Sequence, residues 1–256
     1  MVTLAVPPWT QAISLSWPPN LGFYDSRTSI LHALDDRDQL AAFKHTGDAI
    51  NARLGHDEFL KVTSTGATMA LTAPDARLDV ARDAIAQTIG ILHLNEVEVS
   101  ALQFQFLLPV ETDYVETRES TGTALVGRLL PGATVRDWAM LIDGESSTGD
   151  NLQFEFGFIS DREAPDRLAR VIGRMAGGRD PMGLPRDVFE RDDYPRCGVF
   201  SDWLWSPHWH VDVAETTARV EASWDSAIAE TEGLAIAIRD GLSTDSGGTL
   251  SKEAKG

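Results

Sequence analysis

The sequence predicts an α+β protein with an antiparallel or mixed sheet and helices on one side. Three observations carry that prediction. Apolar residues alternate with period two in several short segments, they recur every three or four positions in others, and the two kinds of segment interleave along the chain. With 256 residues, of which 43% are hydrophobic and 24% charged, the chain is long enough to bury a core without disulfide staples. Its one cysteine, Cys197, has no internal partner to form one.

The elements follow in order. Ile13, Leu15 and Trp17 alternate with Ser14 and Ser16, the pattern of a strand with one buried face. Leu34 to Leu54 reads as a glycine-interrupted amphipathic helix through Leu40, Ala41, Phe43, Ile50 and Leu54. Phe59 to Ala73 reads as two strands about a turn at Ser64, Thr65 and Gly66. From Pro74 to Leu92 an apolar stripe of Leu78, Ala81, Ile85, Thr88, Ile89 and Leu92 predicts a helix, with Pro74 suited to its first position. His93 follows, where an imidazole complements the helix dipole. Glu96 to Val110 is a long strand, and Val115 to Leu130 a helix weakened by Ser120, Thr121 and Gly122. Val135 to Asp143 pairs with Leu152 to Ser160, in which Leu152, Phe154, Phe156 and Phe158 share one parity.

A further helix starts at Ser160, spaced with Glu163 as a capping box, and runs through Leu168, Val171, Ile172 and Met175 until Gly177 and Gly178. Val199 to Val213 is strand-like but too long for one uninterrupted strand, which predicts a bulge or break at Ser206 and Pro207. The longest helix carries Val220, Trp224, Ala227, Ile228, Leu234, Ala235, Ile238 and Leu242. Residues 243–256 are small and polar, so they are expected to form a flexible tail behind a single unit spanning 1–242.

Ala73, Pro74, Asp75, Ala76, Arg77 and Leu78 open one helix, and Ala164, Pro165, Asp166, Arg167 and Leu168 open another in nearly the same words. The pair suggests internal duplication of a unit of two strands, a helix, a strand and a helix, with halves of about 1–111 and 112–242.

Charge narrows the function. With 39 acidic against 22 basic residues the formal net charge is −17, which disfavours direct contact with nucleic-acid phosphates. The amino terminus lacks the basic and apolar parts of a secretory signal and no stretch is long and apolar enough for a membrane span, so the expected setting is the cytosol, away from membranes. Walker, dinucleotide-binding, CxxC, HExxH and nucleophile-elbow patterns are all missing. The leading expectation is therefore an acidic cytosolic binding or protein-interaction module that meets a protein partner or self-associates.

Two sets of residues could carry chemistry. In an extended strand His208, His210 and Asp212 share a face, and two imidazoles with a carboxylate suit a divalent metal ion with open positions for water or substrate. That is the alternative of a metal-dependent enzyme, with Asp202 as an outer group; the opposing account is a strand with one wet face. The second set is cationic and aromatic. Eight arginines fall between Arg162 and Arg196, and Arg167, Arg170 and Arg174 form one helical face able to grip an anion or an acidic partner. Trp203 and Trp205 either join that contact surface or pack beneath the last helix. The loop from Gly177 to Gly198 is a candidate lid or a structured insertion. A third reading, an acidic mimic of nucleic acid, is allowed by the charge total, although the acids form no evident phosphate-like rows.

Overall fold

Period-two alternation becomes one antiparallel sheet in the computed structural model, which describes residues 6–36, 40–110, 113–126, 138–146, 149–169, 186–206 and 209–245; for 124–126, 209–221, 223 and 241–245 only the backbone is described. The chain runs β1 (Thr10–Ser16), α1 (Phe23–Asp35), β2 (Ala42–His45), β3 (Ala49–Arg53), β4 (Glu58–Thr63), β5 (Gly66–Leu71), α2 (Leu78–Ile91) and β6 (Glu96–Pro109). It continues through α3 (Tyr114–Val126), β7 (Ala139–Glu145), β8 (Asn151–Ser160), α4 (Ala164–Leu168), a 3-10 turn (Arg186–Phe189), β9 (Cys197–Ser206), β10 (Trp209–Asp212) and α5 (Val213–Asp245). The strand order is β2-β3-β4-β5-β1-β6-β9-β8-β7, with β10 also on β6, and every pairing is antiparallel. The fold is α+β.

A bulge lets the longest strand keep one face in the core. Ser14 pairs with Ala101 but Leu15 with Val99, so Ser100 has no opposite residue on β1, and its hydroxyl donates to the Ser14 carbonyl at 3.1 Å. The extra residue reverses the parity of β6, so that odd-numbered Val97 and Val99 join even-numbered Leu102, Phe104 and Phe106 in the same apolar cluster. The opposite edge of β6 shows the break expected near Ser206: Trp205 faces Leu102 but Trp209 faces Val99, a shift of one in register.

Each face of the sheet has its own core. On one, Ile13, Leu60, Met69, Phe104, Trp203 and Trp205 pack with residues of α1, α2 and α5, including Leu34, Ile85 and Trp224. On the other, Ala12, Phe59, Leu107 and Phe200 pack with Ala164 and Leu168 of α4 and with Val188, Phe189 and Tyr194. The two similar helix openings thus lead to opposite faces, α2 to the first and α4 to the second. The order of elements likewise departs from the repeated unit suggested by the sequence.

Four expectations need correcting. The helix from Leu34 to Leu54 is replaced by the hairpin β2-β3, because Thr46, Gly47 and Asp48 make its turn: the Thr46 amide donates to the Ala49 carbonyl and its hydroxyl to Asp48 Oδ1 at 2.7 Å. The true helix lies earlier, at α1, where Phe23, Ile30 and Leu34 are buried. Helix α2 starts at Leu78 instead of Pro74. Its first turn is held by a distant carboxylate, Glu58 Oε1, which accepts from the Arg77 amide at 2.7 Å and from Arg77 Nε at 3.3 Å. The chain also stays helical through Ser243 to Asp245, beyond the boundary expected at residue 242. The helix expected from Ser160 is described only as Ala164–Leu168; Val171, Ile172 and Met175 lie outside the described residues, as does residue 177 at the start of the loop.

Candidate functional site

The aromatic residues singled out in the sequence belong to the core. Trp203 and Trp205 are 1% and 2% exposed, Trp203 stacks on Phe154 at 4.5 Å, and Trp205 Nε1 donates to Thr231 of α5 at 3.2 Å. This corrects their assignment to a contact surface, since neither has surface left to offer a partner. Arg167 is engaged locally, with Nη1 at 2.8 Å from Glu155 Oε1. Glu155 sits across from Asp202, which is buried and accepts from Gln103 Nε2 at 2.7 Å; Asp202 in turn sits across from Gln105. Arg167 therefore supplies positive charge to a polar row on the sheet, where an unneutralised carboxylate would be costly. Two buried atoms of that row, Gln103 Oε1 and Gln105 Nε2, have no hydrogen-bond partner.

Arg170, Arg174 and His208 lie outside the described residues. For His210 and Asp212 the backbone register alone is described, placing them across from Glu98 and Glu96 of β6. Among the described residues no group of three or more His, Cys, Asp or Glu side chains is arranged to hold a metal ion. Cys197 is buried. No helix among the described residues is long and apolar enough to cross a membrane.

Ser160 and Glu163 do meet, but not as a capping box: Glu163 is itself the N-cap of α4, without a side-chain cap hydrogen bond, and its carboxylate gathers a wider cluster. The Ser160 amide and hydroxyl donate to Glu163 Oε2 at 2.9 and 3.1 Å, Tyr114 of α3 donates its hydroxyl to the same oxygen, and Arg118 Nη1 donates to Tyr114 at 2.6 Å. Burial pushes the Glu163 carboxyl upward, but these donors and the Arg118 charge outweigh it and hold the group below its ordinary range. The cluster fastens α3 to the end of β8.

An open groove at one end of the sheet passed unnoticed in the sequence. Helix α1 turns Phe23, Ile30 and Leu34 to the core, while Tyr24, Arg27, Thr28, Leu31 and His32, at helical spacings, line a cavity of about 410 Å³ on its other side. Leu40, Phe43 and His45 form the facing wall. Phe43 and His45 sit across from Ala52 and Ile50 of β3, both in the core on the helical face. Helix α1 therefore stops short of covering β2.

All four residues of β2 are exposed, and Phe43 keeps 55% of its surface in water. β2 has β3 on one side and, among the described residues, no strand on the other. Arg27 secures the floor of the groove: Nε donates to the Tyr24 carbonyl at 3.2 Å, Nη1 to the Thr46 carbonyl at 3.1 Å, and its charge lies 5.6 Å from the Tyr24 ring. An uncovered strand edge beside an apolar wall can accept a further strand, whose alternate side chains would enter the groove.

The opposite end of the sheet is open too. β7 pairs only with β8 among the described residues and exposes six of its seven residues, Leu141 at 58% and Met140 at 38%. Its charged residues are acidic, Asp143 and Glu145, where β2 carries Lys44. Gln153 of β8 donates to Asp143 Oδ1 at 2.6 Å. No protein-family model matches the chain, and no curated protein matches it at a significant level.

Proposed function

We propose that the protein is a cytosolic binding module that takes an extended, carboxylate-bearing polypeptide segment as an added strand on β2, with α1 as the wall of the groove. The observation that carries this reading is the fully exposed β2 beside the 410 Å³ cavity. Backbone hydrogen bonds along the edge would supply affinity, and Phe43, Leu40 and Tyr24 would receive every second side chain. Inside the groove Arg27 stands with Asp35, and it is Lys44, on the other face of β2, that favours a segment whose outward side chains are acidic. Nothing in this mode of binding depends on an internal duplication of the two halves.

Fluorescence polarisation with a labelled octapeptide of alternating valine and glutamate tests the reading, with alternating valine and lysine as the control. Binding of the acidic peptide, weakened about tenfold or more by Phe43→Asp, is expected, equivalent to about 1.4 kcal/mol or more. Equal binding of both peptides, or no effect of the substitution, contradicts it. The metal-dependent alternative has its own measurement: elemental analysis of the purified protein beside a variant with His208 and His210 both changed to Ala, in which stoichiometric metal lost from the variant would establish it.

A further inference from the structure

The two open edges match each other. Nine strands joined by eight antiparallel pairings make the first and last run in the same direction, so β2 and β7 are parallel. A second copy of the chain, set beside the first with its helices on the same face, brings β7 of one alongside β2 of the next in a parallel pair. One sheet then continues from copy to copy.

The side chains fall on compatible faces. Phe43 and His45 lie on the helical face of β2, across from Ala52 and Ile50, and Lys44 lies on the other face, across from Asn51. On β7, Met140 and Ile142 share the helical face with Phe156 and Phe154, whereas Leu141 and Asp143 lie across from Glu155 and Gln153 on the other. Joining the edges puts Phe43 among Met140 and Ile142 on one face and Lys44 among Asp143 and Glu145 on the other. Apolar meets apolar, and the cation meets the carboxylates.

We infer that the segment taken by β2 is strand β7 of a second copy of this chain, an identification that rests on the strand-addition reading above. Such a contact is heterologous: a pair of copies keeps one β2 edge and one β7 edge unused, so assembly continues into a ring or filament instead of stopping at a dimer. Charge pairing at an exposed edge also makes it weaken as salt rises.

Light scattering on the full-length protein, separated by size, tests this with two variants. One carries Phe43→Asp and keeps Lys44, and the other carries Asp143→Lys with Glu145→Lys, so that the two altered edges bring like charges together on the Lys44 face. Wild type is expected to form species larger than a dimer as concentration rises, and each variant alone to stay monomeric. Mixed in equal amounts the two are expected to form a dimer and no more, because each supplies the edge the other has lost. That dimer also shows both variants to be folded. A wild type that stays monomeric throughout, an association that survives either variant, or one that the β7 substitutions leave intact would overturn the assignment of β7. The valine-glutamate peptide separates the two failures: if it binds at Phe43 while wild type stays monomeric, strand addition stands and the second copy is the wrong occupant; if it does not bind either, both fall.

Discussion

Strands β6 and β2 belong to the same sheet and differ in nearly every physical respect. β6 is paired on both sides, and from Ala101 to Leu108 every residue is buried, those on the helical face against Trp203, Trp205 and Trp224. β2 is paired on one side, and all four of its residues are exposed. A side chain in β6 or β9 is thus committed to stability, whereas one in β2 contributes little to folding and is available for binding. Stability and recognition are separated along the sheet, and substitutions should separate them too.

The largest expected effect is in the centre. Trp203→Ala removes a fully buried indole and its stack on Phe154, with an expected loss of about 3–5 kcal/mol in urea unfolding. A loss under about 1 kcal/mol would mean that the centre is far looser than the packing indicates. Next comes Glu58→Gln, at a carboxyl that is 3% exposed and holds the start of α2 through Arg77. The expected cost is about 2–3 kcal/mol, together with faster amide exchange in the first turn of α2. Unchanged exchange there would assign the start of the helix to another cause.

Tyr194 gives a smaller, pH-dependent effect. Burial pushes its hydroxyl from 10.0 up to about 12, and in the neutral form that hydroxyl donates to the Phe189 carbonyl at 2.7 Å. Because the folded value is the higher, its contribution is fully present below pH 10 and is lost as the pH rises toward 12. Tyr194→Phe should cost about 1 kcal/mol at neutral pH and make the alkaline fall in stability shallower. An alkaline limb identical to that of wild type would contradict it. The smallest stability effect belongs to the edge: Phe43→Asp should change unfolding by less than about 0.5 kcal/mol while weakening the acidic peptide. A substantial loss of stability would place Phe43 in the core and undo the contrast with β6.

The centre was largely legible in the sequence and the edge was not. Ile13 with Leu15, and Trp203 with Trp205, announce their strands because one face of each is buried, which forces alternation. The long strand from Glu96 and the turn at Ser64 and Thr65 follow the same logic. β2 has no buried face to impose a period, and Leu40, Phe43, Ile50 and Leu54 fall by accident at spacings that imitate a helix. The decisive signal was the turn at Thr46, Gly47 and Asp48. Helix α1 was missed for a related reason: only Phe23, Ile30 and Leu34 anchor it, among serine, threonine and aspartate residues that favour turns. The groove between α1 and β2 depends on both missed elements, so no motif could have marked it. The arginine at 167 was visible as charge, but its partner Glu155 meets it only once α4 packs back onto the sheet face beside β8.

The claim that β2 is a receiving edge is tested most directly by hydrogen-deuterium exchange across the sheet, with and without the valine-glutamate peptide, on protein diluted until it is monomeric. The account predicts that the amides of β3 and β6 are protected in both conditions, and that the β2 amides exchange quickly alone and slow sharply when the peptide is present. Slow exchange in β2 without any peptide, or unchanged exchange with the peptide in excess, would contradict it.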